Sequence, residues 1–417
     1  MSAFEDDRSH FLRWLWANDL PAHPAGPIPP SGHAFVPRGL YGRYLSELLD
    51  EAAAALPDGV ALRRIGQDIV EVGEERERVR LGLEDGGVQT ADVAVLCSGM
   101  LRPVLPPAPG DAEHCAGPRL ITKPWDEAAI ARVGPEDAVL ILGTGLTMVD
   151  VVTMLADAGH RGPILALSRH GLLPRVHAPT RAWSLLEQPT EIAPSVGALM
   201  RFVRRKVRRA RAADCDWRDV VDALRPYTQR VWQRLPQTER RRFLRHARAY
   251  WEVHRHRMAP EIAARIDDLR RSGRLEVRAG AIEAYQWSVE GIGIRFRSRG
   301  CAADRRIMGD WLVNCAGPTL DFRGARHPLV RNLLKRGLAC PDPLGLGLRV
   351  SPDLRLIRPD GRATTGRSPS GRSPRARSGR PLPCRTSAFK AGRWRRSCWA
   401  TTWRPPPDAR GGSGRTS

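Results

Sequence analysis

The stretch Ala138–Gly171, AVLILGTGLTMVDVVTMLADAGHRGPILALSRHG, leaves a chain few ways to fold. Ala138 to Leu142 is a short, unbroken, β-branched apolar run, the pattern of a strand buried on both faces, and it runs straight into Gly143-Thr144-Gly145. Val149, Val151, Val152, Met154 and Leu155 then fall at helical spacing, Gly159 stops the helix, and Pro163–Leu167 reads as the next parallel strand. The result is one βαβ unit of the length a dinucleotide fold needs.

The chemistry such a turn offers is phosphate binding. Gly143 permits a sharp turn. Gly145, with no Cβ, lets the backbone approach a pyrophosphate resting on N–H groups at the positive end of the helix, with Thr144, Leu146 and Thr147 completing the cradle. The third small position of the usual fingerprint is Met148, a departure, because close helix–strand packing ordinarily wants Gly or Ala there. A plain βαβ unit with a glycine turn is the alternative reading. At the tip of the second strand, where an acidic residue would hold the ribose 2′-hydroxyl of NAD, stand Ser168, Arg169 and His170. These suit a 2′-phosphate and favour NADP over NAD; the alternative is that Arg169 is a solvated loop charge.

At 417 residues the chain is long enough for two or three domains. It holds no apolar run of membrane-spanning length and no signal pattern at its start, so a cytosolic protein is expected. Eight cysteines show neither C-x-x-C nor metal spacing and read as free thiols. The net charge of +22 raises the question of nucleic acid. Residues 361–417 hold thirteen Arg and one Lys against a single Asp, so more than half of the excess lies in the tail. A second cluster, Arg201–Arg211, sits on an evident helix and reads as a solvated basic face.

Along the chain, residues 4–15 and 35–56 read as helices. Between Leu62 and Val93 come short alternating segments with a hairpin turn at Asp85-Gly86-Gly87. Ala91–Gly99 reads as a buried strand ending on small residues. A proline-rich connector covers 103–124, and residues 180–272 read as helical throughout. His254 and His256, two apart, point to different helix faces and make no metal pair. Strands return at Leu275–Arg278 and Gly291–Arg297 and lead to Asp310–Pro318, whose Cys315-Ala316-Gly317 echoes Cys97-Ser98-Gly99.

Over residues 1–360 the chain resembles the two-dinucleotide-domain FAD/NAD(P)-binding flavoprotein oxidoreductases. The residues that carry the likeness are Phe35–Tyr44, Val95–Gly99, Gly143–Asp150, Leu167–Pro174, Tyr250–Pro260 and Asn314–Pro318. The resemblance implies a Rossmann-like α/β fold in which Gly143 and Gly145 serve NAD(P)H, while Gly99 and Gly317 mark passages between FAD and NAD(P)H domains. It implies hydride transfer from NADPH to FAD, monooxygenase chemistry included, with no catalytic side chain named because the flavin carries the chemistry.

The domains expected are a partial FAD-binding domain over 1–124, an NAD(P)H-binding domain over 125–300 with a helical insertion at about 180–272, and a return to the FAD domain over 301–360. The family's first strand and G-x-G-x-x-G turn for FAD are missing, which counts against FAD affinity and suggests that Met1 is an internal methionine or a misassigned start. Residues 361–417 are Arg/Ser/Pro/Gly-rich without period, as a disordered segment or an off-frame translation would be. Back-translation of 370–400 read one base out of frame can spell an apolar, helix-ended segment resembling the family's C-terminal one, which should follow a strand at Leu354–Ile357; a one-base frame error near 361–367 is the expectation. Two further readings stand beside the oxidoreductase: a non-catalytic nucleotide-binding remnant, and a nucleic-acid-binding protein using the 201–211 helix and the tail. Substrate, electron acceptor and oligomeric state leave no mark in the sequence.

Overall fold

The computed structural model describes residues 2–4, 6–18, 35–75, 78–99, 101, 103–108, 117–185, 187–288, 291–298, 304–318 and 320–364. The frame-error expectation and nearly all of the basic tail, from residue 365 on, lie outside them. In chain order the elements begin with α1 (His10–Ala17), α2 (Arg38–Ala54), β1 (Ile69–Glu75), β2 (Arg78–Leu83), β3 (Val88–Ala91), β4 (Leu120–Ile121), α3 (Glu127–Ile130), β5 (Val139–Leu142), α4 (Leu146–Asp157) and β6 (Ile164–Ser168). They continue with α5 (Val196–Ala212), α6 (Trp217–Leu224), α7 (Thr228–Arg234), α8 (Gln237–Arg242), α9 (Arg248–Arg255), α10 (Pro260–Arg271), β7 (Leu275–Ser288), β8 (Gly291–Ser298), β9 (Asp304–Gly309), β10 (Trp311–Asn314) and α11 (Pro328–Lys335).

Two compact units form. The first takes residues 1–67, 105–179 and 249–317, and the second takes 68–104, 180–248 and 318–417. In the first, a seven-stranded sheet has the order β4-β10-β5-β6-β7-β8-β9. The strands from β4 to the first half of β7 are parallel, and β7, β8 and β9 close the sheet as an antiparallel meander. The α/β, Rossmann-like class expected from the sequence is therefore the class observed. The fully apolar β5 run has a simple cause: Val139 and Ile141 face one core with α4 and α10, while Leu140 and Leu142 face another with Tyr285, Ile294 and Phe296. Each aliphatic side chain so enclosed contributes about 1.5–3 kcal/mol. Aspartates tie the strand starts together, Asp310 accepting from the Ala138 N–H at 2.8 Å and Asp137 from the Trp311 indole at 2.7 Å.

The second unit contains the three-stranded antiparallel sheet β1-β2-β3. Its β2–β3 turn is the one expected, with the Leu83 N–H donating to Gly87 O at 2.8 Å. α11 lays Leu329, Val330 and Leu333 on Ile69 and Val72, and the Asn332 carbonyl oxygen accepts from the Val72 N–H at 2.9 Å. α5 buries Phe202, Ala210 and Lys206; the Lys206 ammonium donates to Leu185 O and lies 5.0 Å from the Phe202 ring centre. Arg201, Arg204, Arg208, Arg209 and Arg211 of the same helix are exposed.

Several expectations are corrected. Residues 92–99 form no strand and stand half-buried to exposed, because no ladder neighbour reaches them among the described residues. The helical stretch begins at Val196 rather than near 180, and 180–248 clusters with the second unit while α10 packs on the first unit's sheet. Residues 304–314 hydrogen-bond into the seven-stranded sheet as β9 and β10, and the chain passes to the second unit at residue 318. Leu354–Ile357 yields only isolated bridges, with Leu354 in the left-handed region at φ +68°. No helix among the described residues is long and apolar enough to cross a membrane.

Candidate functional site

The carboxyl ends of β5, β6 and β10 carry the candidate site. β5 ends at Gly143, whose φ is +98°, and a Cβ built there would lie 2.4 Å from Cys315 O and 3.1 Å from the Ala316 Cα. Two backbones cross at this point, so the turn exists only with glycine. Gly145 caps α4 with extended backbone, brings no side-chain hydrogen bond to the helix start, and has open space where a Cβ would stand. The first turn of α4 carries no acidic residue. The first N–H groups of a helix lack intrahelical partners and bear partial positive charge, so an open cap of this kind can receive an anion. Leu146 and Thr147 sit in that first turn and are half-buried. Met148, the irregular fingerprint position, is fully enclosed in the core between α4 and the sheet; the helix packs there around a flexible thioether instead of a small residue.

Thr144 behaves differently from its neighbours. It is 5% exposed, and its hydroxyl donates to Leu172 O at 2.6 Å. Ser168, at the tip of β6, lies 2.8 Å from that hydroxyl and accepts from the Gly171 N–H at 3.0 Å. Since the Thr144 proton is spent on Leu172, the Ser168 hydroxyl is the donor between the two. Arg169, next in the chain, is exposed and makes no ion pair among the described residues. His170 tilts against Tyr250, with ring centres 5.7 Å apart.

Asp150 and Cys315 lie beside the cradle, unmarked as site residues by the sequence. Burial pushes the Asp150 carboxyl above its ordinary value, opposed by the Trp125 indole, which donates to it at 3.3 Å, and by the charge of Arg38. Burial, with Asp150 adding, pushes the Cys315 thiol well above the usual thiol range, so it is no nucleophile. Asn314 is fully enclosed; its oxygen accepts from the Ala316 N–H at 3.2 Å while its Nδ2 has no partner among the described residues. Gly317 follows in the same unit at φ +93°, with open space around it. Gly99, at φ +67° and equally open, belongs to the second unit. The two histidines at the end of α9 are engaged locally: His254 donates to Tyr250 O at 2.7 Å, and His256 meets Glu252 at 2.6 Å.

A parallel sheet with a strand–glycine turn–helix at the carboxyl ends of its strands defines a dinucleotide-type α/β architecture. Residues 1–101 match a family model described as FAD-NAD(P)-binding, and the FAD/NAD(P)-binding resemblance is shown over that segment. The cofactor class expected from the sequence, FAD and NAD(P), is the one this match names. No curated protein matches the chain. Among solved structures, the chain is similar to L-lysine 6-monooxygenase from Pseudomonas syringae, at 17% identity over 77% of this chain and 71% of that one, with a TM-score of 0.46. It is also similar to an ornithine N-hydroxylase from Kutzneria sp. 744, at 14% identity over 76% and 66%, TM-score 0.46. A third is T. acidophilum thioredoxin reductase, at 9% identity over 75% and 67%, TM-score 0.40.

The residues present fit the two cofactors unequally. The Gly143–Thr147 turn and the exposed Arg169 on the neighbouring strand tip suit a dinucleotide with a 2′-phosphate. The matched segment, by contrast, offers no second strand–glycine turn–helix among the described residues to take the phosphates of FAD.

Proposed function

We propose that this chain supplies the NADPH-binding part of an FAD- and NAD(P)H-dependent oxidoreductase. The observation that carries the reading is the crossing of Gly143 with Cys315–Ala316 beside the open helix start at Gly145. That crossing holds the turn tightly at the carboxyl edge, where ligands of such sheets bind, and supports the reading of the open helix start as the pyrophosphate site. The N–H groups at the start of α4 hold the pyrophosphate. Arg169 pairs with the 2′-phosphate through its planar fork, a geometry that NADH gives it no reason to adopt. NADPH, when bound, supplies a hydride. The chain's own contribution is to bind and orient the donor and, through the enclosed Asn314 and Cys315, to close the floor behind the turn. No step is routed through FAD, since its phosphate cradle is not among the described residues. Monooxygenase chemistry would need that flavin.

Titration of the purified chain with NADPH and with NADH, followed calorimetrically, tests the reading. Wild type should bind NADPH more tightly, and Arg169→Ala should weaken NADPH by about 10–100-fold while leaving NADH unchanged. Failure of wild type to bind either nucleotide, or equal weakening of both by Arg169→Ala, would contradict it.

A further inference from the structure

We propose that Thr144, resting on the NADPH reading above, is a positioning residue for nucleotide discrimination: its buried hydroxyl clasps the Arg169 loop to the pyrophosphate turn. The clasp is a continuous run of donors and acceptors. The Gly171 N–H donates to the Ser168 hydroxyl at 3.0 Å, the Ser168 hydroxyl donates to Thr144 at 2.8 Å, and the Thr144 hydroxyl donates to Leu172 O at 2.6 Å. Both ends of the loop are thus tied, and Arg169 and His170 are the two residues between the ties. Each hydroxyl carries one proton, and each proton is already used. A 2′-phosphate therefore cannot take a hydrogen bond from Ser168 without opening the clasp, and the exposed Arg169 guanidinium is left as the side-chain donor for it.

The consequence is energetic and selective. A long arginine on a loose loop must be ordered when it pairs with phosphate, and the ordering subtracts from affinity; a loop fixed beforehand avoids that loss. NADH carries no 2′-phosphate and gains nothing from the ordering. Thr144 accordingly contributes to the difference between the two nucleotides, although its side chain touches neither. Its position between Gly143 and Gly145 couples the pyrophosphate end of the site to the adenosine end through bonds to the Ser168 hydroxyl and the Leu172 carbonyl, 24 and 28 residues away in sequence.

Thr144→Val keeps the shape and removes the hydroxyl, and Thr144→Ser keeps the hydroxyl. Two measurements on the full chain decide the matter: dissociation constants for NADPH and NADH, and amide hydrogen exchange of residues 168–172 without nucleotide. Thr144→Val should raise the NADPH constant by about tenfold, leave NADH within about twofold, and speed exchange of the loop. Thr144→Ser should restore both. In the Arg169→Ala background Thr144→Val should cost nothing further, because the two act as one unit. Parallel weakening of both nucleotides by Thr144→Val would mean that the turn itself was damaged and would overturn the proposal. So would faster exchange with discrimination intact, or no change in exchange. Absence of nucleotide binding by wild type would instead defeat the NADPH reading, and the proposal with it, and is told apart because the unmutated protein shows it.

Discussion

Residues 91–99, ADVAVLCSG, and 309–317, GDWLVNCAG, share Asp, Val, Cys and Gly at matching positions, yet they have different structures. Val313 is fully enclosed and Cys315 buried, whereas Val95 is 58% exposed and Cys97 stands in the open. Asp310 accepts from the Ala138 N–H within the sheet, while Asp92 meets Arg78 at 3.4 Å with most of its side chain in solvent. The glycines alone agree, at φ +67° and +93°. What separates the two is company. β10 has β4 on one side and β5 on the other, and residues 92–99 have no ladder neighbour among the described residues. An apolar run closed by small residues specifies readiness to be a buried strand; the hydrogen-bonding neighbours decide whether it becomes one.

The largest effect should come from touching the crossing that only the second segment has. Gly143→Ala would set a methyl 2.4 Å from Cys315 O in a left-handed backbone, at a cost of about 2–5 kcal/mol from overpacking and strain together. Denaturant titration would show it as a loss of midpoint with little change of slope. A near-neutral result would mean that the two backbones do not cross as described.

Thiol reactivity gives a second contrast. A bulky thiol reagent should modify Cys97 in the native chain more than about a hundredfold faster than Cys315, whose thiol is buried and held protonated. Equal rates would erase the distinction between the segments. The smallest effect is expected from Gly99→Ala, where nothing lies within 4 Å and only the positive φ resists, a cost of about 1 kcal/mol by the same titration. A loss as large as that of Gly143→Ala would show that Gly99 is enclosed after all.

Much of the first unit was legible because single residues declare it. A four-residue apolar strand flowing into glycine has few alternatives, and β5, α4 and β6 fall where the spacing puts them. Gly143 was readable for the same reason. Met148 was misleading only in that a small residue was expected; a thioether fills the space between helix and sheet equally well. β7 was read as four residues and runs to fourteen, since its second half is held by β8, a partner no local pattern reveals. The Thr144–Ser168–Leu172 clasp was invisible, because short polar side chains acquire partners through the turn geometry of two strands brought side by side. The split of 180–272 between the units was invisible for a related reason: helical spacing reports that a face is buried and says nothing of what covers it.

The central claim, that the glycine turn between β5 and α4 is a nucleotide site while residues 92–99 are a strand in waiting, is tested most directly by amide hydrogen exchange with and without saturating NADPH. The account predicts slowed exchange over residues 143–149 and 168–172, with residues 92–99 exchanging fast in both conditions. Unchanged exchange at 143–149 under saturating NADPH would contradict it.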